Sequence, residues 1–152
     1  MNSLEINEIL RKNKHTKKNF VSVWPYDYIG SIKPPTRNNS YTSFDVNNQP
    51  SYMNGLHWIA LFLTNTHIEL FDPLSLPAHF FYSELFNYLK SINSDIKTSP
   101  FPVQQFTSKT CGVHCINFIF LRSLNLTYSE IFSVFYSKNQ INNDHIVLNY
   151  FT

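Results

Sequence analysis

The stretch 103-VQQFTSKTCGVHCINFIF-120 holds both cysteines of the chain, Cys111 and Cys115, four residues apart with a histidine between them. Its reading decides the fold. From 108 to 124 the pattern "SKTCGVHCINFIFLRSL" predicts a helix that is apolar nearly all round beyond its first turn. Such a helix is buried at the centre of a domain. The lead-in "TSPFPVQQ" (98 to 105) is predicted extended, because each proline biases its predecessor away from helix. The rest of the chain must then be arranged around one central helix with a cysteine in its opening turn.

Working outward, 57-HWIALFL-63 is a continuous apolar run of strand length, suited to a strand covered on both faces. "TNT" follows, then 67-HIELFD-72 alternates until Pro73 stops it, so the two runs predict an antiparallel hairpin. "YTSFDVNN" (41 to 48) alternates as a further strand, and "QPSYMNG" is a turn ending at Gly55. Helices are predicted over 3 to 12, with Ser3 as N-cap, and over 77 to 93. "TYSE" at 127 to 130 is a capping box opening another helix, and a last helix is expected to begin at Asn143 as cap. The polar tract with Pro34 and Pro35 reads as a surface loop. The expectation is a single α+β domain over 1–152, a sheet packed between helices.

Composition narrows the classes. The 152 residues are 43% hydrophobic and 16% aromatic, which is globular rather than disordered. The net charge of +2 says little about partners. One basic cluster, 11-RKNKHTKK-18, reads first as a solvated face and second as a polyanion contact. No run reaches the ~18 apolar residues of a membrane span. The N-terminus carries acidic residues and no apolar signal core, so an intracellular, unsecreted protein with reduced cysteines is expected. The sequons at Asn38 and Asn125 then have no secretory context.

The chemistry-bearing residues fall into one pattern. A turn centred on Thr64 and Asn65 would place His57 opposite Asp72. A carboxylate there fixes the tautomer of the ring and favours its protonated form. Glu69, the rival, points to the other face of its strand. Cys111, in the first helical turn, sits where unpaired N–H groups and the helix dipole stabilise a thiolate. Cys115, one turn deeper, is expected to stay protonated and inert. Gly112 would let the backbone come close to a substrate. Gln104 and Gln105 point to opposite sides of the lead-in, so at most one can serve as an oxyanion donor beside the Cys111 amide. Plain alternatives stand beside this: two core thiols and a structural histidine. A metal clip of Cys111, His114, Cys115 and His57 matches none of the usual zinc spacings.

Together, "NGLHWIALF" (54 to 62), "LFDPL" (70 to 74) and "VQQFTSKTCGVHCINF" (103 to 118) resemble the adenovirus endopeptidase (adenain) family, within the SUMO-protease-like cysteine proteases. "NFVSVWPYDYIGSI" also looks like that family's N-terminal region. The resemblance implies the adenain-type fold: a small, mostly antiparallel sheet, a buried central helix carrying the nucleophile at its N-terminus, and further helices around. It implies His57 as general base, Cys111 as nucleophile, Asp72 as orienting acid and Gln104 as oxyanion donor, seven residues before the cysteine. Gln105, six before, fits the SUMO-protease spacing, and Ser108 favours the adenain alignment. Trp58 matches the aromatic residue beside the histidine. The implied function is a viral or mobile-element endopeptidase, cutting capsid or core precursors beside Gly or small residues. If viral, it would act in the host nucleus or assembly site and in the virion. The rivals are a deconjugase of a ubiquitin-like protein, and an inactive descendant that binds capsid protein or DNA.

Two departures matter. The acid is Asp where adenovirus enzymes have Glu, which changes reach rather than role. No cysteine lies outside the 111–115 pair, so an activating peptide could not be tethered by the adenovirus type of disulfide. DNA, through Lys12, Lys14, Lys17 and Lys18, is left as a candidate activator. No metal or other cofactor is needed for the chemistry, and a monomer without membrane association is expected.

Overall fold

A computed structural model describes residues 1–36, 40–49, 51–52 and 56–151. Asn54 and Gly55, which open the first matching motif and end the predicted turn, lie outside the described residues, as does Asn38. Five strands form one sheet in the order β1-β2-β3-β4-β5: Phe20–Trp24, Tyr41–Asn47, Trp58–Thr64, Ile68–Phe71 and Ile96–Thr98. The two central pairings are antiparallel and the two edge pairings parallel, so the sheet is mixed. The helices are α1 (Ser3–Lys12), α2 (Ala78–Phe81), α3 (Ser83–Ile92), α4 (Cys111–Ser123), α5 (Tyr128–Glu130) and α6 (Gln140–Phe151).

Alternation along β3 and β4 divides the core in two. Ile59, Leu61, Leu63, Ile68 and Leu70 face one way and pack with Leu85 and Leu89 of α3. Trp58, Ala60, Phe62 and Phe71 face the other way and pack with α1, α4 and Val147 of α6. The sheet thus lies between two helical layers, as the pattern predicts. Ten of the 13 residues of α4 are buried. Phe71 stacks on Phe118 of that helix with ring centroids 4.5 Å apart.

The hairpin register differs from the expected one. Leu61 pairs with Leu70 and Ala60 with Phe71, because the turn centres on Asn65 and Thr66, with the amide of Thr64 bonded to the carbonyl of His67. A shift of the centre by one residue moves each partner by two. An even shift keeps every side chain on its expected face.

Several boundaries also move. The cap of α1 is Asn2, in a capping box with Glu5, rather than Ser3. The helix expected over 77 to 93 is interrupted at Tyr82 (φ −131°, ψ 42°). The capping box of Thr127 and Glu130 forms as predicted and leads into a π-helical turn, Ile131–Phe135. Asn143 does not cap α6, which begins three residues earlier. Its side chain instead donates to the carbonyls of Val103 (3.1 Å) and Ser137 (2.7 Å). In the basic segment, Lys12 pairs with Glu8, and Arg11 donates to Asn7 and to the carbonyl of Val21. No described helix is long and apolar enough to cross a membrane.

Candidate active site

His57 immediately precedes β3, where its backbone N–H donates to Asn48 Oδ1 (3.0 Å) and its carbonyl accepts from the Asn48 amide (3.1 Å). Asp72 follows β4. Being on one face of adjacent strand ends, the two side chains meet: His57 Nε2–H donates to Asp72 Oδ1 over 2.7 Å. The expected pair therefore forms despite the shifted register. Asp72 also accepts from the amides of Leu74 (2.8 Å) and Leu76 (3.1 Å), and from the Tyr82 hydroxyl (3.0 Å). Ser75, in that corner, takes a left-handed conformation (φ 52°). Tyr82 is a site residue that sequence reading missed. The helix break at Tyr82 coincides with its hydrogen bond to the acid. Burial and the Asp72 charge push its pKa up, so it stays a donor.

Cys111 is the first residue of α4. With Nε2 committed to Asp72, the other ring nitrogen of His57 is left to act on the Cys111 thiol. Burial resists a charge on the sulfur. The imidazole hydrogen bond and charge, with the N–H groups of Trp58 and Gly112, outweigh it and hold the thiol below its ordinary value. Burial likewise resists a charge on His57, but Asp72 and Cys111 outweigh it and raise the ring to about 9. Both shifts favour a thiolate–imidazolium pair over the neutral thiol and imidazole.

Gln104 is buried, and its Nε2 donates to the carbonyl of Ser108 (2.9 Å), leaving one N–H of the amide group. Its backbone N–H and that of Val103 both bond to the carbonyl of Pro73, so the lead-in is anchored to the corner that carries Asp72. Gln105 points away: its side-chain amide reaches Asp144 Oδ2 (3.1 Å). His57, Cys111 and Gln104 line one open groove of about 410 Å³, with Leu56, Phe106 and Lys109 on its walls. Gln105 does not line it. All four predicted site residues are therefore assembled at one end of the sheet.

The remaining candidates separate cleanly. Cys115 is fully buried, and burial with the neighbouring Asp45 and Cys111 pushes its thiol well above the usual range. Glu69 turns to the other face and pairs with Arg122 (2.7 Å), which also lies over the Phe62 ring. His114 bonds to Asp144 on α6, not to either cysteine. Among the described residues no cluster of three or more groups could hold a metal ion. Gly112 lines the groove and is also needed for packing. A Cβ there would meet Ile6 at 3.2 Å and Trp58 at 3.3 Å, so its lack of a side chain lets α4 close on α1 and β3.

No protein-family model matches this chain, and no curated protein matches it in sequence. Solved structures do match in fold. The crystal structure of the ASFV pS273R protease superposes with a TM-score of 0.56 at 17% identity, covering 94% of this chain. The chain spans 63% of the length of that protease. The central domain of the uncharacterized Lpg1148 protein from Legionella pneumophila gives 0.54 at 14% identity, over 99% of this chain and 93% of that one. The SUMO protease Ulp1, with its catalytic cysteine oxidized to a sulfinic acid, gives 0.52 at 14% identity, over 99% and 78%. The chain has the fold of the SUMO-protease-like cysteine proteases.

Proposed function

We propose that this chain is a cysteine endopeptidase of a DNA virus or virus-like mobile element that cleaves precursor proteins beside Gly or another small residue. The observation that carries the reading is the convergence of the His57–Asp72 pair, the Cys111 thiol and the Gln104 amide on one groove. Likeness in fold to a viral protease supports the setting. The Cys111 thiolate attacks the scissile carbonyl carbon and forms a tetrahedral intermediate. The free Gln104 N–H and the Cys111 backbone N–H, which has no intrahelical acceptor at the first position, stabilise the oxyanion. His57 gives its proton to the leaving amine as the C–N bond breaks. It then takes a proton from the water that resolves the thioester, with Asp72 holding the ring throughout.

No cofactor enters this chemistry. Substrates would be viral or element-encoded capsid or core precursors, and DNA a candidate activator through Lys12, Lys14, Lys17 and Lys18. A monomer acting inside the infected cell and the virion completes the proposal. The fold shared with a SUMO protease supports one alternative substrate, a ubiquitin-like protein with a glycine tail.

Alkylation by iodoacetamide from about pH 5 to 9, with the modified residue located by mass spectrometry, tests the reading. Cys111 should label fast below pH 7, with Cys115 protected and the low-pH rate abolished by His57→Ala. Slow labelling of both thiols with a free-thiol pKa of about 8.5 would sink it. Gly-containing peptides and a glycine-tailed ubiquitin-like substrate, assayed side by side, then separate endopeptidase from deconjugase.

A further inference from the structure

Asp144 lies outside the groove, on α6, and is 5% exposed. Its carboxylate accepts four hydrogen bonds. Oδ1 takes Thr110 Oγ1 and His114 Nε2, each at 2.8 Å. Oδ2 takes the Gln105 amide N–H at 3.3 Å and the Gln105 side chain at 3.1 Å. Three of the four come from the segment between the oxyanion donor and the nucleophile. Its neighbour Asn143 holds the start of that segment through the Val103 carbonyl.

Two consequences follow for the groove. The side chains of Gln104 and Gln105 go opposite ways, one into the groove and the other onto α6. Fastening Gln105 to α6 therefore turns Gln104 toward His57 and Cys111. Thr110 is the residue before α4, where a threonine hydroxyl ordinarily accepts from an N–H of the first turn. Here it makes no such bond: the hydroxyl donates to Asp144 and lies 2.8 Å from Ser108 Oγ. The opening N–H groups of α4 are left uncapped by their own threonine, facing the place where an oxyanion forms.

We propose that Asp144 is a positioning residue for acyl transfer: through Gln105, Thr110 and His114 it sets the loop that aims Gln104 and the first-turn N–H groups of α4 into the groove. The inference rests on the protease reading and names a residue that touches neither substrate nor nucleophile.

The test uses Asp144→Asn, which keeps an acceptor for Thr110 and His114 but presents an amide to Gln105, and the milder Gln105→Ala should the first not fold. With a peptide the wild type cleaves, kcat should fall by about 10² for Asp144→Asn, the lower end of what one lost oxyanion donor costs. KM should change little. Alkylation of Cys111, which needs His57 but no oxyanion donor, should keep its rate and pH profile. Adding Asp144→Asn to Gln104→Ala should cost less than the product of the two single losses, because the two changes share the Gln104 donor. Unchanged kcat, a parallel loss of alkylation, or multiplicative losses in the double variant would each overturn the proposal. If the wild type cleaves no peptide, the protease reading fails by itself. Amide hydrogen exchange still decides the clamp: the Gln105 and Ser108 amides should exchange faster in Asp144→Asn, and unchanged exchange would remove it.

Discussion

His57–Asp72 and His114–Asp144 are built alike. In each, Nε2 donates to Oδ1, over 2.7 and 2.8 Å, between elements that the core holds rigid. Their rings titrate in opposite directions. His114 has burial against its charge and gains only Asp144 in return, so its pKa is lowered. Its Nδ1 lies 3.1 Å from the Tyr136 hydroxyl, a group that donates readily to a neutral ring. His57 has the same carboxylate geometry, but its second nitrogen meets a thiol that can ionise, and its pKa rises to about 9. The difference teaches that a histidine–carboxylate pair acquires its chemistry from the third group, not from the pair. A hydroxyl makes it a buried structural link, and a thiol makes it one end of an ion pair.

The comparison breaks if the two histidines behave alike on mutation. His57→Ala should cost about 10⁶ in kcat, as removal of a triad histidine does elsewhere. His114→Gln should leave the low-pH alkylation of Cys111 intact. Equal loss of alkylation in both variants would show that His57 is not specially coupled to the thiol.

A third histidine–carboxylate contact sharpens the point at the far end of the sheet. Buried Glu69 accepts from His67 (2.8 Å) and Arg122 (2.7 Å) and has no nucleophile nearby. Arg122→Ala leaves that carboxylate without its cation and should destabilise the fold by about 3–5 kcal/mol. Denaturant unfolding would measure the loss, while the pH profile of Cys111 alkylation should not move. A shifted profile would mean that the distant pair feeds the site.

The two glutamines extend the contrast to neighbouring residues. Gln104→Ala should lower kcat by about 10²–10³ with alkylation unchanged, since it deletes a donor to the oxyanion. Gln105→Ala should act only through the Asp144 clamp and cost less. If Gln105→Ala proves the more damaging, the assignment between them is reversed.

Opposite pKa shifts give opposite linkage. His57 is raised from 6.5 to about 9, so its contribution to stability is full below 6.5 and is lost as pH rises through about 9. His114 is lowered from 6.5, so its contribution is present above that value and is lost as pH falls through the folded-state pKa. Thermal melts of His57→Gln and His114→Gln across pH should therefore converge on the wild type from opposite ends. Activity should fall on the acid side as Cys111 protonates and on the basic side near pH 9, where the imidazolium is lost.

The candidate site was legible in the sequence because each of its members is local to a strong pattern. His57 ends a polar turn before an apolar run, Asp72 precedes a proline, and Cys111 opens an apolar helix. An even register error left their faces unchanged. The groups that hold them were not legible. Tyr82 sits inside a convincing helical pattern and shows its role only where the chain breaks to reach Asp72. Asp144 lies 40 residues from Gln104 in sequence, next to an asparagine that looks like a cap. Long-range hydrogen bonds leave no periodicity, so no window of sequence reveals them. The alternation of β2 also does not reveal its burial: polar Ser43 and Asp45 are both fully buried.

Asp45 gives the comparison its smallest and most exacting test, because it is a buried aspartate without a histidine. Neither carboxyl oxygen has a hydrogen-bond partner, and the groups that act on it are the thiols of Cys111 and Cys115. Burial pushes its pKa well up, and the charge of Cys111 pushes the same way. Both effects favour the neutral carboxyl beside a Cys111 thiolate, since two such charges in a low dielectric would repel strongly. Asp45→Asn replaces one neutral group with another of similar shape. Stability should change by only about 1 kcal/mol, and the pH at which Cys111 alkylation is half-maximal should stay where it is. A downward shift would show that the variant had removed a negative charge. Asp45 would then be ionised, and the thiolate–imidazolium pair would be forming against a carboxylate instead of beside a neutral acid.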